Sequence, residues 1–263
     1  MRALDGPLPR AQPGLLHGTP VAALVVLAAV WVMAVATLPD AAVRVAGLAA
    51  VHGALLGTAL AWTSTGGWRD RWAPLEAGFV LGSAATCASL HPVGSLAYVV
   101  VPVWLAWRRA AWLGARAWQS VPAVAGGALF GLLLGAHLLV NTALTFGYRV
   151  RTGPLAELTD WWAYDLGANV LAAEAFFRAA LFERAYRRWA FAPAVALATS
   201  ATVLRYLADP LLPRSLGMAA GATFYIALLG AGSCWFFART GSLVPSLAAA
   251  TAFFGAYRLL APR

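Results

Sequence analysis

The chain has 263 residues, of which 61% are hydrophobic and only 11% are charged. Apolar runs recur from end to end, a pattern that excludes a soluble domain and is typical of a polytopic membrane protein. The net charge of +9 comes from arginine alone, and the arginines cluster where loops are expected, so they indicate membrane topology and no nucleic-acid partner.

The sequence predicts an all-α fold, a polytopic transmembrane helix bundle of about eight to nine spans. Residues 1–18 form a polar N-terminal lead. A spanning helix needs roughly 20 mostly apolar residues, and candidates lie at 19–38, 41–62, 76–90, 94–107, 121–145, 161–186, 190–207, 215–238 and 242–260. The third and fourth runs are short and are separated by the turn signal His91-Pro92-Val93-Gly94. They are therefore either one re-entrant hairpin or two tilted spans.

The distribution of arginines favours nine spans with the N-terminus in the cytoplasm. In that orientation the cytoplasmic side collects Arg2, Arg10, Arg69, Arg71, Arg108, Arg109, Arg116, Arg184, Arg187, Arg188 and Arg239. The far side holds mainly Arg149, Arg151, Arg214, Arg258 and Arg263. Eight spans would place the cluster at 184–188 outside, against the positive-inside tendency. We expect a multi-pass protein of the inner (plasma) membrane, and arginine without lysine favours a bacterial source with a GC-rich genome.

The sixth run carries charge in its middle, where charge in lipid is costly and usually functional. Glu174 and Arg178 are four residues apart, so they share one face of a helix and can form an ion pair. The pair is either part of a functional site or a self-neutralising contact that fixes helix packing.

The segment Ala173-Glu174-Ala175-Phe176-Phe177-Arg178 resembles Glu-Glu-x-x-x-Arg, the first motif of the CAAX protease and bacteriocin-processing (CPBP) family of intramembrane proteases. A second segment, residues 239–247, reads Arg-Thr-Gly-Ser-Leu-Val-Pro-Ser-Leu and is similar to the Arg-Thr-Gly-Ser-Leu-Trp-Pro-Ala-Ile entry to the last core helix of that family. Its Thr-Gly-Ser suits a tight turn and helix cap, and Pro245 suits a first helical turn. The resemblance implies a CPBP-like core at 119–263, whereas the helices of 19–118 carry no family signature.

In this family a glutamate and two helix-borne histidines activate water, with or without a metal. Here the first glutamate is replaced by Ala173, the second motif aligns with Ala201 and Arg205, and the third aligns with Ala250 and Phe254. A methyl group cannot accept a proton, and arginine is neither a metal ligand nor a base near neutral pH. We therefore expect no cofactor or metal, and a catalytically silent homologue that retains Glu174 and Arg178 and binds a membrane protein or peptide.

Two other functions stay open. An active intramembrane endopeptidase would use Glu174 in a rearranged site with His137 and Asn141, which repeat the His-x-x-x-Asn spacing on the fifth run. The ordinary interpretation is a buried histidine that pairs with Asn141. Arg205 either pairs with Glu174 or extends toward the far interface. A transporter or transporter subunit is the second alternative, although the sequence has no inverted internal repeat.

Overall fold

The computed structural model describes residues 37–63, 72–109, 121–150, 153–207 and 216–261, and seven further helical residues between 22 and 36. The predicted lead 1–18 and most of the run 19–38 lie outside the described residues. So do eight of the arginines assigned to one side or the other, Arg2, Arg10, Arg69, Arg71, Arg116, Arg151, Arg214 and Arg263.

The described chain is built of helices, which confirms the all-α fold class. They are α1 (Asp40–Trp62), α2 (Ala73–Leu90), the 3₁₀ helix Pro92–Val99 continued by α3 (Val100–Arg108), α4 (Val121–Phe146), α5 (residues 155–188), α6 (Phe191–Leu207), α7 (Leu216–Thr240) and α8 (Val244–Arg258). One short antiparallel ladder pairs β1 (Arg149–Val150) with β2 (Leu260–Ala261).

Four described helices are long and apolar enough to cross a membrane, namely Asp40–Trp62, Ala73–Leu90, Val121–Phe146 and Ala219–Thr240. These four support a membrane protein, while the number of eight to nine spans stays a prediction. The helix Phe191–Leu207 is apolar but shorter, and α8 has 15 residues. Helix α5 carries several charged side chains along its length.

The two short predicted runs form an antiparallel pair. Helix α2 ends at Leu90, and Pro92 opens the 3₁₀ helix. Gly94 lies so close to the end of α2 that a Cβ there would be 1.9 Å from the Cys87 carbonyl oxygen. The ion pair between Glu76 and Arg108 (2.6 Å) joins the start of α2 to the end of α3. The turn was therefore predicted correctly, but the run 94–107 is half 3₁₀ helix.

Close packing in the bundle depends on helical glycines. Helices α4 and α8 contact each other along their length, and Gly127, Gly131 and Gly135 of α4 face α8. A Cβ on Gly131 would lie 2.1 Å from the Ala249 carbonyl oxygen. Small residues that let backbones approach in this way are typical of helix pairs in membranes.

Arginines lie at both ends of the bundle, in addition to Arg178 and Arg205 in its interior. Arg109 donates to the Leu60 carbonyl (3.4 Å), and Arg184 donates to the Trp62 carbonyl, so the last turns of α1, α3 and α5 meet at one end. Arg258 lies at the opposite end, next to the β1–β2 ladder. This separation agrees with the predicted grouping of the arginines, and the side that faces the cytoplasm stays a prediction.

Candidate functional site

The predicted pair of Glu174 and Arg178 is formed in the interior of the bundle. Arg178 Nε lies 3.4 Å from Glu174 Oε2. The two residues are only 3% and 1% exposed. Arg178 also donates from Nη1 to Thr202 Oγ1 (2.9 Å), and this hydroxyl donates in turn to the Ala198 carbonyl (2.8 Å). The guanidinium therefore links α5 to α6.

Two more helices complete the surroundings of the pair. The hydroxyls of Ser233 on α7 and Ser246 on α8 lie beside the Glu174 carboxylate. Gly230 of α7 leaves room for the guanidinium, since a Cβ there would lie 3.4 Å from Arg178 Nη2. Both serines are fully buried. The site therefore combines one carboxylate, one guanidinium and several hydroxyls from four helices.

Helix α5 departs from regular α geometry on both sides of Glu174. Asp165–Val170 and Ala175–Phe182 are π-helical. Arg178 follows Asp165 by thirteen residues, so a regular α-helix of 3.6 residues per turn would point them to nearly opposite sides. A π-turn takes up about one residue more than an α-turn. Asp165 and Arg178 both contact other helices, Asp165 through Arg258 of α8 and Arg178 through Thr202 of α6.

A second polar cluster lies nearer the Arg258 end. Asp165 is 2% exposed and accepts two hydrogen bonds from Arg258, at 2.8 Å from Nε and 2.9 Å from Nη2. Asn169 donates to the same carboxylate (3.2 Å) and accepts from Arg205 Nη2 (3.0 Å). His52 Nδ1 of α1 lies 3.5 Å from that guanidinium nitrogen. Asp165 and Asn169 are thus part of a network between α1, α5, α6 and α8.

The placement of Arg205 corrects one of the two interpretations made from the sequence, and its extension toward the far interface stays a prediction. It does not pair with Glu174, whose described charged partner is Arg178. It is also half-buried and bonded to Asn169, and its guanidinium lies 5.0 Å from the centre of the Tyr206 ring. An amide acceptor on α5 therefore keeps the guanidinium inside the bundle.

The other family positions are filled by apolar side chains. Ala173, Ala250 and Phe254 are 4%, 1% and 6% exposed. The Phe254 ring stacks on Tyr206 with centroids 5.4 Å apart. Among the described residues, no group of three or more His, Cys, Asp or Glu side chains could hold a metal ion.

His137 and Asn141 do not join this site. His137 Nδ1 lies 2.8 Å from the Tyr225 hydroxyl on α7, and Asn141 accepts from Thr145 (3.3 Å). Both residues are exposed on α4, so the expected buried pair of His137 with Asn141 is not formed. Within the described part of the chain, neither side chain contacts Glu174, and the rearranged site has no geometric support here.

Sequence reasoning missed several partners of the site, including Thr202 and Ser246. Arg258, His52 and Ser233 each lie far along the chain from the residues that they contact. Arg258 could have been found from one signal. It lies at the end of the last apolar run, and Asp165 lies near the start of the sixth, so an antiparallel arrangement would bring them to the same end of the bundle. No comparable signal marks a single serine or histidine within an apolar helix.

Comparisons of the chain with protein-family models, curated proteins and solved structures found no match.

Proposed function

We propose that the protein is a catalytically silent homologue of the CPBP intramembrane proteases, located in a bacterial inner membrane, that binds a transmembrane segment of a partner protein. The proposal rests on one observation: the polar pair of the motif is retained, while the neighbouring position of the catalytic base holds an alanine. Glu174 and Arg178 are buried and bonded into the bundle, whereas Ala173 next to them offers only a methyl group.

The positions of the family motifs support this proposal. Ala173 lies on α5, Arg205 on α6, and Ala250 and Phe254 on α8. These are the three helices that also supply Glu174, Thr202 and Ser246 to the site. A protease of this type requires a base and a stabiliser of the oxyanion. The retained pair supplies no separate base, because Arg178 is the ion-pair partner of Glu174.

An apolar groove on the bundle supports the binding of a transmembrane helix. It has a volume of about 810 Å³ and lies between α4 and α8, with Trp162 and Leu166 of α5 in its wall. Ala248, Ala252 and Gly255 repeat along the α8 side of the groove, and a Cβ on Gly255 would meet no atom within 4 Å. Small residues at such spacing allow a second helix to approach closely in lipid.

The first experiment compares protein termini by mass spectrometry in membranes of the native host. It uses cells that carry the wild-type protein, a deletion, and Glu174→Gln. We expect no terminus that depends on the protein. A terminus present only with the wild type would establish an active endopeptidase that uses Glu174 and would overturn the proposal.

The second experiment tests the groove. A photoreactive amino acid at Ala252 should crosslink one defined membrane protein, and Gly255→Trp should abolish the crosslink by filling the groove. The matched control places the same group at Leu129, which is 57% exposed on α4 but does not line the groove. Equal crosslinking from both positions, or crosslinking that survives Gly255→Trp, would refute binding in this groove.

A further inference from the structure

Two polar side chains lie on the outer face of α4, a helix long and apolar enough to cross a membrane. His137 and Asn141 are both exposed. At 1.5 Å per residue they lie about 5 Å and about 11 Å along the axis from the middle of Val121–Phe146. The hydrocarbon core of a bilayer extends about 15 Å from its midplane. A centred helix therefore places both side chains in hydrocarbon, where lipid offers no hydrogen bond.

Each of these two side chains keeps a hydrogen-bonding atom that the bundle does not use. His137 Nδ1 lies 2.8 Å from the buried Tyr225 hydroxyl, and Asn141 Oδ1 accepts from Thr145 of the same helix (3.3 Å). Within the described parts of the chain, His137 Nε2 and Asn141 Nδ2 have no partner. A polar group without a hydrogen bond in an apolar medium is unfavourable, so a second protein surface that bonds to this face would stabilise it.

The residues around His137 have the spacing of a seam between two helices. Leu133, Val140 and Leu144 are 62%, 60% and 83% exposed. Together with His137 they form a row at intervals of four, three and four residues. This 3.5-residue repeat is the one in which two helices pack side by side with a left-handed twist. A polar side chain at one position of such a seam specifies the register and the number of helices.

The hydrogen-bonding groups on this face are suited to a second copy of the same chain. A neutral imidazole and a carboxamide can each donate and accept hydrogen bonds. Two copies with the same membrane topology are related by a twofold axis along the membrane normal, so a side chain close to the axis meets its own counterpart at the same depth. Two carboxamides or two neutral imidazoles complement each other there, whereas two like charges would repel.

We propose that the protein forms a homodimer through α4, in which His137 and Asn141 hydrogen-bond to the second copy and Leu133, Val140 and Leu144 pack around them. None of these five residues lines the apolar groove between α4 and α8. The inference therefore does not depend on the proposed binding of a partner. A crosslink between two copies has twice the mass of the chain, which distinguishes it from a crosslink to a partner in the groove.

The test is disulfide crosslinking in native membranes, using the full-length chain with Cys87→Ala and Cys234→Ala. Leu144→Cys should give a dimer of twice the chain mass on oxidation with copper phenanthroline, because a disulfide needs Cβ atoms within about 4.5 Å. Leu204→Cys is the matched control, since Leu204 is 66% exposed and also lies in the last turn of its helix, α6. We expect about tenfold more dimer from Leu144→Cys than from Leu204→Cys. Equal yields, or no dimer from Leu144→Cys, would overturn the proposal.

A variant tests the hydrogen bonds of the interface. Asn141→Leu should weaken self-association about tenfold, measured by Förster transfer between two labelled populations in lipid vesicles. It should leave the fold intact, because the described hydrogen bond of Asn141 is to Thr145 of the same helix. Thr86→Val is the matched control, since Thr86 is an exposed polar residue that bonds within α2, and it should leave self-association unchanged. Undiminished self-association of Asn141→Leu, or an equal loss in Thr86→Val, would contradict a polar interface on α4.

Discussion

The two central residues of the site are charged, and each neutralises the buried charge of the other. Glu174 and Arg178 are both almost fully buried, and the pair is supported by Thr202. A buried charge that loses its partner costs about 3–5 kcal/mol, whereas replacement of the whole pair by apolar residues is often neutral. The contribution of this pair is therefore tested by removing one partner and then both.

Arg178→Met should lower the stability of the folded protein by about 3–5 kcal/mol, because Glu174 remains buried without its cation. The double variant Glu174→Leu/Arg178→Met should recover most of that loss. Thermal unfolding in detergent measures both effects.

The control is the pair Glu183–Arg187, which has the same spacing and a contact of 2.5 Å but lies near the end of α5 with side chains 12% and 17% exposed. Arg187→Met should cost less than Arg178→Met, because Glu183 keeps more contact with solvent than Glu174 does, and an equal loss would mean that burial does not set the difference.

At the scale of single helices, two glycines of α4 differ in how closely the helix approaches its neighbours at their positions. Gly131→Ala should destabilise the protein by about 1–3 kcal/mol, because the new Cβ would overlap the Ala249 backbone. Gly126→Ala in the same helix is the control. Its Cβ would meet only the Phe236 ring at 3.7 Å, so it should be neutral or stabilise by up to about 1 kcal/mol through helix propensity. Both are measured by thermal unfolding, and equal effects would refute tight packing of α4 on α8.

The sequence predicts the bounds of a helix correctly where an uninterrupted apolar run marks the whole helix. The runs 41–62 and 121–145 match Asp40–Trp62 and Val121–Phe146 to within one residue at each end. The run 161–186 begins late, because α5 starts at Leu155 in a stretch that includes Glu157 and Asp160 and therefore lacks the apolar signal. The i,i+4 rule also predicts the pair of Glu174 with Arg178, because that contact is local.

Contacts between distant segments could not be predicted in the same way. The π-helical segments of α5 arise where interior packing and polar contacts outweigh the regular α pattern, and no residue type at 165–182 marks them. The same limit applies to the partners of Arg205. Its choice of Asn169 over Glu174 follows from the relative rotation of α5 and α6, which a single sequence does not specify.

At the scale of the whole molecule, the two ends of the bundle differ in charge. The end formed by the last turns of α1, α3 and α5 carries Arg108, Arg109, Arg184, Arg187 and Arg188, with Glu76 and Glu183 as the carboxylates that pair with them. The opposite end includes Arg258 paired with Asp165. Because basic residues are retained on the cytoplasmic side, we expect the arginine-rich end to face the cytoplasm.

Cysteine labelling in intact cells tests this orientation at the two ends of α5. In a protein with Cys87→Ala and Cys234→Ala, Pro154→Cys should react with a membrane-impermeant maleimide, because Pro154 is exposed and precedes α5 at the Arg258 end. Ala190→Cys, exposed just after the arginine cluster, should react only after the cells are disrupted. Disrupted cells serve as the control, since both cysteines must then label. Labelling of Ala190→Cys but not Pro154→Cys in intact cells would invert the topology.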